Sequence, residues 1–101
     1  MNATNRKGAP LFISARLPFK ASALTGHYGS DGQTGRLGSP DLNAFRLAEA
    51  EGIDYTVKSY GTPIAWHSAS GWWLVNQKFS STTSRHQSIV RGALKGAEVS
   101  A

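Results

Sequence analysis

The sequence predicts an α+β fold: a small antiparallel sheet of about four strands with two helices packed on one face. Two observations carry this prediction. Residues 54–76 contain three short segments rich in β-branched and aromatic residues, and turn signals separate them, as in an antiparallel meander. Apolar residues recur at helical spacing over residues 42–49 and again over residues 86–94, on either side of these segments. Strands grouped between helices favour an α+β domain over a parallel α/β sheet.

The N-terminal third is the least regular part of the chain. Residues 1–9 are mostly polar and predict a disordered arm. The short apolar run over residues 11–15, before Pro18, predicts a first strand. Residues 19–24 either extend that strand or form a turn. Over residues 26–38 a glycine stands at every third position, which predicts a flexible surface loop because glycine permits positive φ.

A first helix is predicted between residues 39 and 52. Ser39 is a candidate N-cap, Pro40 suits the first helical position, and Asp41 places an acid in the first turn. Gly52 supplies the stop signal.

Three strands follow this helix in the prediction, over residues 54–60, 63–67 and 72–76. Gly61 ends the first strand and Pro63 opens the second, a position that proline tolerates. Because side chains alternate along a strand, Trp72 and Trp73 must point to opposite sides of the sheet. Four side chains of the first two strands are predicted to face the core: Tyr55, Val57, Ile64 and Trp66.

A second helix is predicted after residue 80, where five consecutive hydroxyl residues offer an N-cap. Its apolar stripe consists of His86, Ile89, Val90, Ala93 and Leu94. Its polar side carries Arg85, Arg91 and Lys95.

Length and composition exclude several classes of protein. The chain has 101 residues, so residues 1–101 are predicted to form a single domain with its own core. It has no cysteine, which excludes disulfides, thiolate metal sites and cysteine nucleophiles. It has no run of about 18 apolar residues, so no membrane association is expected. The first ten residues lack the apolar segment of a signal peptide, and a cytoplasmic location is expected.

The net charge of +5, with an isoelectric point near 10.0, is unevenly distributed. Acids are concentrated in residues 41–54, where Arg46 is the one base. Between residues 55 and 97 there are five bases and no acid. A basic body of this kind attracts polyanions such as nucleic acid, although the same charge also serves as an ordinary solubility surface.

The residue types that carry enzyme chemistry do not form a recognisable motif. None of the three histidines, His27, His67 and His86, pairs with another at the i, i+4 spacing of a helical zinc site. No Gly-x-Ser-x-Gly elbow is present, and no acid between residues 55 and 97 is available to orient His86 toward a hydroxyl. The sequence therefore predicts a protein that is not an enzyme and needs neither a metal nor a cofactor.

Aromatic residues interleaved with bases favour a binding function. If one of Trp72 and Trp73 faces solvent, it would stack on a nucleobase. Alternatively, one of them fills the core while the other covers a neighbouring loop or anchors a protein partner. The first turns of the predicted helix contain three long polar side chains, Arg85, His86 and Gln87. At this end of a helix they would either bind an anion or form hydrogen bonds within the protein. The residues predicted to bind a partner or nucleic acid are Lys58, Lys78, Arg85, His86, Gln87, Arg91, Lys95 and Trp73.

Three strings in the C-terminal half resemble an uncharacterised family, a domain of unknown function among small proteins of bacteriophages and other mobile elements. They are YTVKSYGTPIAW (residues 55–66), WWLV (residues 72–75) and KFSSTTSRHQ (residues 78–87). The resemblance implies a phage or prophage protein expressed in the cytoplasm of a bacterial host, and it supplies no catalytic residue.

These observations predict a non-enzymatic accessory protein that binds and modulates a host or defence target. The expected partner is a host or defence protein or a ribonucleoprotein complex. The most specific form of this prediction is an inhibitor of the anti-CRISPR type. The alternative is a basic module that binds nucleic acid on its own.

Overall fold

The sheet follows the order of the chain. The computed structural model describes residues 8–95 and the backbone of residues 99 and 100. In this part of the chain, six strands lie side by side in the order β1 to β6. The first five pair antiparallel with their neighbours, whereas β6 runs parallel to β5. The strands are β1 (Phe19–Ala21), β2 (Leu24–Tyr28), β3 (Ile53–Ser59), β4 (Thr62–Ser68), β5 (Gly71–Leu74) and β6 (Val99–Ser100).

Three helices accompany the sheet in the described residues, and the predicted α+β class is confirmed. They are α1 (Ala9–Ser14), α2 (Asp41–Glu51) and α3 (Ser81–Ala93). The predicted second helix corresponds to α3, and its hydroxyl cap is confirmed because the Ser80 side chain accepts a hydrogen bond from the Thr83 amide. Helix α2 begins at Asp41, after the predicted cap residue Ser39, with Pro40 at its N-cap.

The predicted strand over residues 11–15 is wrong, because this segment belongs to helix α1. Pro10 lies in the first turn, where its missing N–H is not needed. Ala9 and Ile13, four residues apart, face the core and are fully buried. Ala9 therefore belongs to a helix and not to a disordered arm, and residues 1–7 of the predicted arm lie outside the described residues.

The glycine-rich segment divides into a strand and a loop. Gly26 lies within β2, where a Cβ atom would collide with the Tyr55 hydroxyl and the Phe19 ring. The loop between β2 and α2 therefore covers residues 29–40, which is later than the predicted span of 26–38. Within it, Gly29, Gly32 and Gly35 have positive φ, as loop glycines do. The flexibility of this loop stays a prediction.

Helices cover both faces of the sheet, whereas the sequence predicts both on one face. Helices α1 and α3 pack on one face, over a core that includes Tyr55 and Val57. Helix α2 packs on the opposite face, over Trp66 and Val75. The molecule therefore has three layers, with the α2 layer and the α3 layer separated by the sheet.

An irregularity in β4 explains why alternation alone does not reveal the two cores. The register of β3 against β4 shifts between Val57 and Lys58, so Ile64 is an extra residue on β4. Ile64 and Ala65 consequently both enter the core under α3, and Trp66 enters the core under α2. The four side chains predicted to face inward are buried, but they belong to two cores. Trp72 and Trp73 lie on opposite faces, as predicted.

Candidate functional site

The helices on the two faces of the sheet carry opposite net charges. Helix α2 carries Asp41, Glu49 and Glu51, with Arg46 as its base. Helix α3 carries Arg85 and Arg91, has no acid, and is followed by Lys95. Because the sheet separates α2 from α3, we call the α2 side the acidic layer and the α3 side the basic layer, after the charges of these two helices.

The basic layer has an outer surface of bases and small residues. Arg85, Ser88, Arg91, Gly92 and Lys95 are all exposed. At 3.6 residues per turn they fall within an arc of about 120° on the side of α3 that faces away from the sheet. Among the described residues, none of these three bases forms an ion pair with an acid.

The acidic side chains, by contrast, have partners within the protein. Asp54 contacts His67 at 2.8 Å. Glu51 accepts hydrogen bonds from the Ser70 hydroxyl at 2.9 and 3.0 Å. The remaining acid contacts are Arg46 with Glu49, Lys58 with Asp31, and Trp73 with Asp41. The positive charge of the α3 side is therefore not neutralised by the described acids.

A cleft of about 330 Å³ lies beside the start of α3. We call it the Tyr60 cleft. Its aromatic walls are Tyr60 and Phe79, and Arg36 is its basic residue. The other lining residues carry hydroxyl groups: Ser59, Thr62, Ser80 and Thr83. The cleft thus combines aromatic rings, a guanidinium and hydroxyl groups beside the first turn of α3.

Three of the predicted binding residues are buried and have partners inside the protein, so the expectation of surface contacts does not hold for them. His86 is 1% exposed, and its Nδ1 lies 2.6 Å from Ser59 Oγ. The Gln87 amide donates to the carbonyls of residues 75 and 77. Lys58 Nζ donates to both carboxylate oxygens of Asp31 at 2.7 Å. Consecutive helix residues turn by about 100°, so Arg85 faces solvent while His86 and Gln87 face the sheet.

Trp73 lies in the acidic layer rather than the basic layer. Its indole N–H donates to Asp41 at 2.9 Å, and its ring stacks nearly parallel on Trp66, with centroids 6.2 Å apart. These contacts fix Trp73 between the sheet and α2. Of the alternatives left open by the sequence, the structure places it against the core and not with the basic residues.

The remaining four predicted residues are exposed. Arg85 and Arg91 lie on the outer surface of α3, Lys95 follows the end of that helix, and Lys78 precedes Phe79 of the Tyr60 cleft. Sequence reasoning did not select Arg36 or Tyr60. The prediction places Tyr60 at the end of the strand over residues 54–60, and only the fold brings Arg36 into the same cleft.

Residues 8–95 contain no cluster of three or more His, Asp or Glu side chains placed to hold a metal ion. The hydroxyl of Ser59 lies 2.6 Å from His86 Nδ1 and 3.1 Å from Thr83 Oγ1, inside the core next to α3. Burial raises the pKa of Tyr55 far above its ordinary value, and its hydroxyl donates to the Leu17 carbonyl at 2.7 Å. No helix in this part of the chain is long and apolar enough to cross a membrane.

The contact between Lys58 and Asp31 gives the fold an acid-sensitive attachment. The hydrogen bond from Lys58 favours the ionised Asp31 carboxylate and lowers the pKa of this group. The ion pair therefore stabilises the folded state fully above the ordinary carboxyl pKa, and this stabilisation is lost as the pH falls through the lowered pKa. We expect Asp31→Asn to lower the melting temperature at pH 7, and to lower it much less at pH 2.5. Thermal unfolding of both proteins at the two pH values checks this; an equal loss at both would contradict the ion pair.

The comparisons with known proteins identify a family without assigning an activity. Residues 25–99, well over half of the chain, match the model of a family described as "Family of unknown function (DUF8033)". Neither the curated proteins nor the solved structures contain a match. The matched residues include β2 apart from its first residue, all of β3 to β5, the Tyr60 cleft and helix α3. The chain therefore belongs to this family of unknown function, DUF8033.

Proposed function

We propose that this protein is a non-enzymatic module that binds nucleic acid through the outer surface of α3. The observation that carries the proposal is the separation of charge, because the bases of α3 have no acidic partners among the described residues while the acids of α2 lie behind the sheet. A polyanion is attracted to the α3 side and repelled from the α2 side, which orients it before contact.

The composition of the α3 surface suits a phosphate backbone. Arg85 and Arg91 offer guanidinium groups, which match phosphate oxygens in a two-pronged geometry. Ser88 and Gly92 lie between these bases, and their small side chains let a phosphate chain approach the helix closely. Contacts of this kind are independent of base sequence.

The setting that the sequence resemblance implies narrows the target. In a phage or mobile element expressed in a bacterial cytoplasm, a small binding protein of this kind would act on a host or defence target. The proposed target is a nucleic acid of the host or of its defence machinery. The most specific candidate is the guide RNA of a CRISPR–Cas ribonucleoprotein. This part of the proposal rests on the resemblance and on the basic charge.

Salt dependence tests the proposal. We expect the purified protein to bind a fluorescent 12-nucleotide single strand at 25 mM salt. Three bases contacting three phosphates give a slope of log affinity against log salt of about −2, from about 0.7 per phosphate on single strands. Fluorescence anisotropy between 25 and 300 mM salt measures that slope. Absence of binding at 25 mM salt, to a single strand and to a duplex alike, would refute the proposal.

A pull-down from bacterial lysate separates nucleic acid from an acidic protein as the partner. Tagged protein is incubated with nuclease-treated and untreated halves of the same lysate, and both are examined by mass spectrometry. Under the proposal, co-purified proteins disappear after nuclease treatment, since they are held through nucleic acid. A stoichiometric partner that survives nuclease would contradict the proposal and would indicate a protein target instead.

A further inference from the structure

Tyr60 occupies a backbone position that disfavours it. Residues Ser59 and Thr62 pair across the β3–β4 hairpin, so the turn consists of Tyr60 and Gly61 alone. Both have positive φ, 50° and 79°, as in a type I′ turn. Asn-Gly is the favoured pair in this turn, and a bulky residue with positive φ is uncommon. The turn geometry therefore gives no reason for a tyrosine at this position.

Burial does not account for the tyrosine either. Its side chain is 64% exposed, although the ring lies at a shallow angle to the His86 ring, with centroids 6.0 Å apart. The turn is held through the backbone, because the Tyr60 amide donates to the Ala23 carbonyl at 3.0 Å. An aromatic face is thus presented at the mouth of the Tyr60 cleft at a conformational cost, and such costs are concentrated at functional sites.

The basic residue of the Tyr60 cleft is held in place by its backbone. The Arg36 amide donates to the Thr62 hydroxyl at 3.0 Å, and the Gln77 amide group donates to the Arg36 carbonyl at 3.0 Å. Gly35 reinforces this anchor, since a Cβ there would come within 2.9 Å of Thr62 Cα. The exposed Arg36 side chain therefore starts from a fixed point on the rim of the cleft.

We propose that the Tyr60 cleft receives one unpaired nucleobase, which stacks on Tyr60 while Arg36 contacts the adjoining phosphate. The partner is then single-stranded nucleic acid, and this inference rests on the proposed function. Aromatic side chains and basic grooves together are the means by which single strands are bound without sequence preference. The volume of about 330 Å³ lies at the small end of ligand pockets, which suits one nucleotide and excludes a base pair. Bases in a duplex stay stacked and cannot enter.

The substitution Tyr60→Asn tests this inference, because asparagine suits the turn but has no ring. We expect the melting temperature to stay the same or rise. Affinity for a 12-nucleotide single strand should fall about tenfold, the effect of one lost base stack. Affinity for a duplex of equal length should change less than twofold, and the salt slope should be retained because the phosphate contacts remain.

Two further variants control the experiment. Tyr28 is as exposed as Tyr60, at 64%, but it does not line the Tyr60 cleft. The substitution Tyr28→Asn should therefore leave single-strand affinity unchanged. Tyr60→Phe keeps the ring, so it should retain single-strand affinity within about threefold.

The outcomes separate this inference from the proposed function. If wild-type protein binds neither single strands nor duplexes, both are refuted. If it binds both forms equally, or if Tyr60→Asn binds single strands as wild type does, only the base-binding cleft is refuted. A marked fall in the melting temperature of Tyr60→Asn would show that Tyr60 is needed for the fold, and this would also overturn the inference.

Discussion

Arg85→Glu combined with Arg91→Glu is expected to lower affinity for a single-stranded oligonucleotide by at least about 100-fold at 100 mM salt. Each substitution replaces an attraction to phosphate with a repulsion, and like charges brought together at an interface cost more than the lost contact alone. The salt slope should fall by about 1.4, the contribution of two phosphate contacts on a single strand. The fold should remain intact, since both arginines are exposed and without an ion-pair partner among the described residues. Anisotropy titrations and circular dichroism measure the two effects.

Lys20→Glu combined with Arg46→Glu is the matched control. Each pair of substitutions lowers the net charge of +5 by four units, two for every base replaced by an acid. Lys20 lies on β1 and Arg46 on α2, and both are exposed. We expect the control to lose no more than about threefold in affinity, because only long-range attraction is reduced. Equal losses in the two double variants would show that bulk charge, and not the α3 surface, determines binding.

Gly26→Ala is expected to cost at least about 3 kcal/mol of unfolding free energy, the upper range for overpacking a core. A methyl group at this position would collide with the Tyr55 hydroxyl and would lie 2.6 Å from Phe19 Cδ1. Both rings are fully buried, and the Tyr55 hydroxyl is already held by the Leu17 carbonyl at 2.7 Å. For a domain of this size such a loss lowers the melting temperature by about 12–24 °C. Thermal and urea unfolding measure it.

Gly92→Ala serves as the opposite control for stability. Gly92 lies on the exposed side of α3, and nothing lies within 4 Å of a Cβ added there. Alanine in a helix interior is favoured over glycine by about 1 kcal/mol, so this variant should be more stable than wild type.

If Gly26→Ala were as stable as wild type, the packing of β1 and β2 against β3 described above would be wrong.

The sequence predicted the elements better than their arrangement. Strands β3 to β5 and helix α3 followed from alternation, turn residues and the Ser80 cap. Helix α1 was missed because the short apolar run over residues 11–15 fits a strand and a helix equally well, and tertiary packing decides between them. The sequence did not reveal that helices cover both faces of the sheet. The extra residue Ile64 turns Trp66 toward the core under α2, and no pattern of alternation signals such a bulge.

The candidate site was predictable where it depends on one helix and not where it depends on the fold. Arg85, Arg91 and Lys95 were found because helical periodicity fixes which side of α3 is polar. The same periodicity placed His86 in the apolar stripe, and its burial against Ser59 follows from that placement. Arg36 was missed because it meets Tyr60 across 24 residues of sequence, through contacts that only the folded loop makes.

Mapping the interface by NMR shows whether nucleic acid contacts the α3 side of the protein. Amide spectra of ¹⁵N-labelled protein are recorded while a 12-nucleotide single strand is added at low salt. We expect the largest shifts on residues 85–95 and on Arg36, Tyr60 and Gly61, and no shifts on α2. Shifts concentrated on α2, or no shifts at millimolar oligonucleotide, would contradict it.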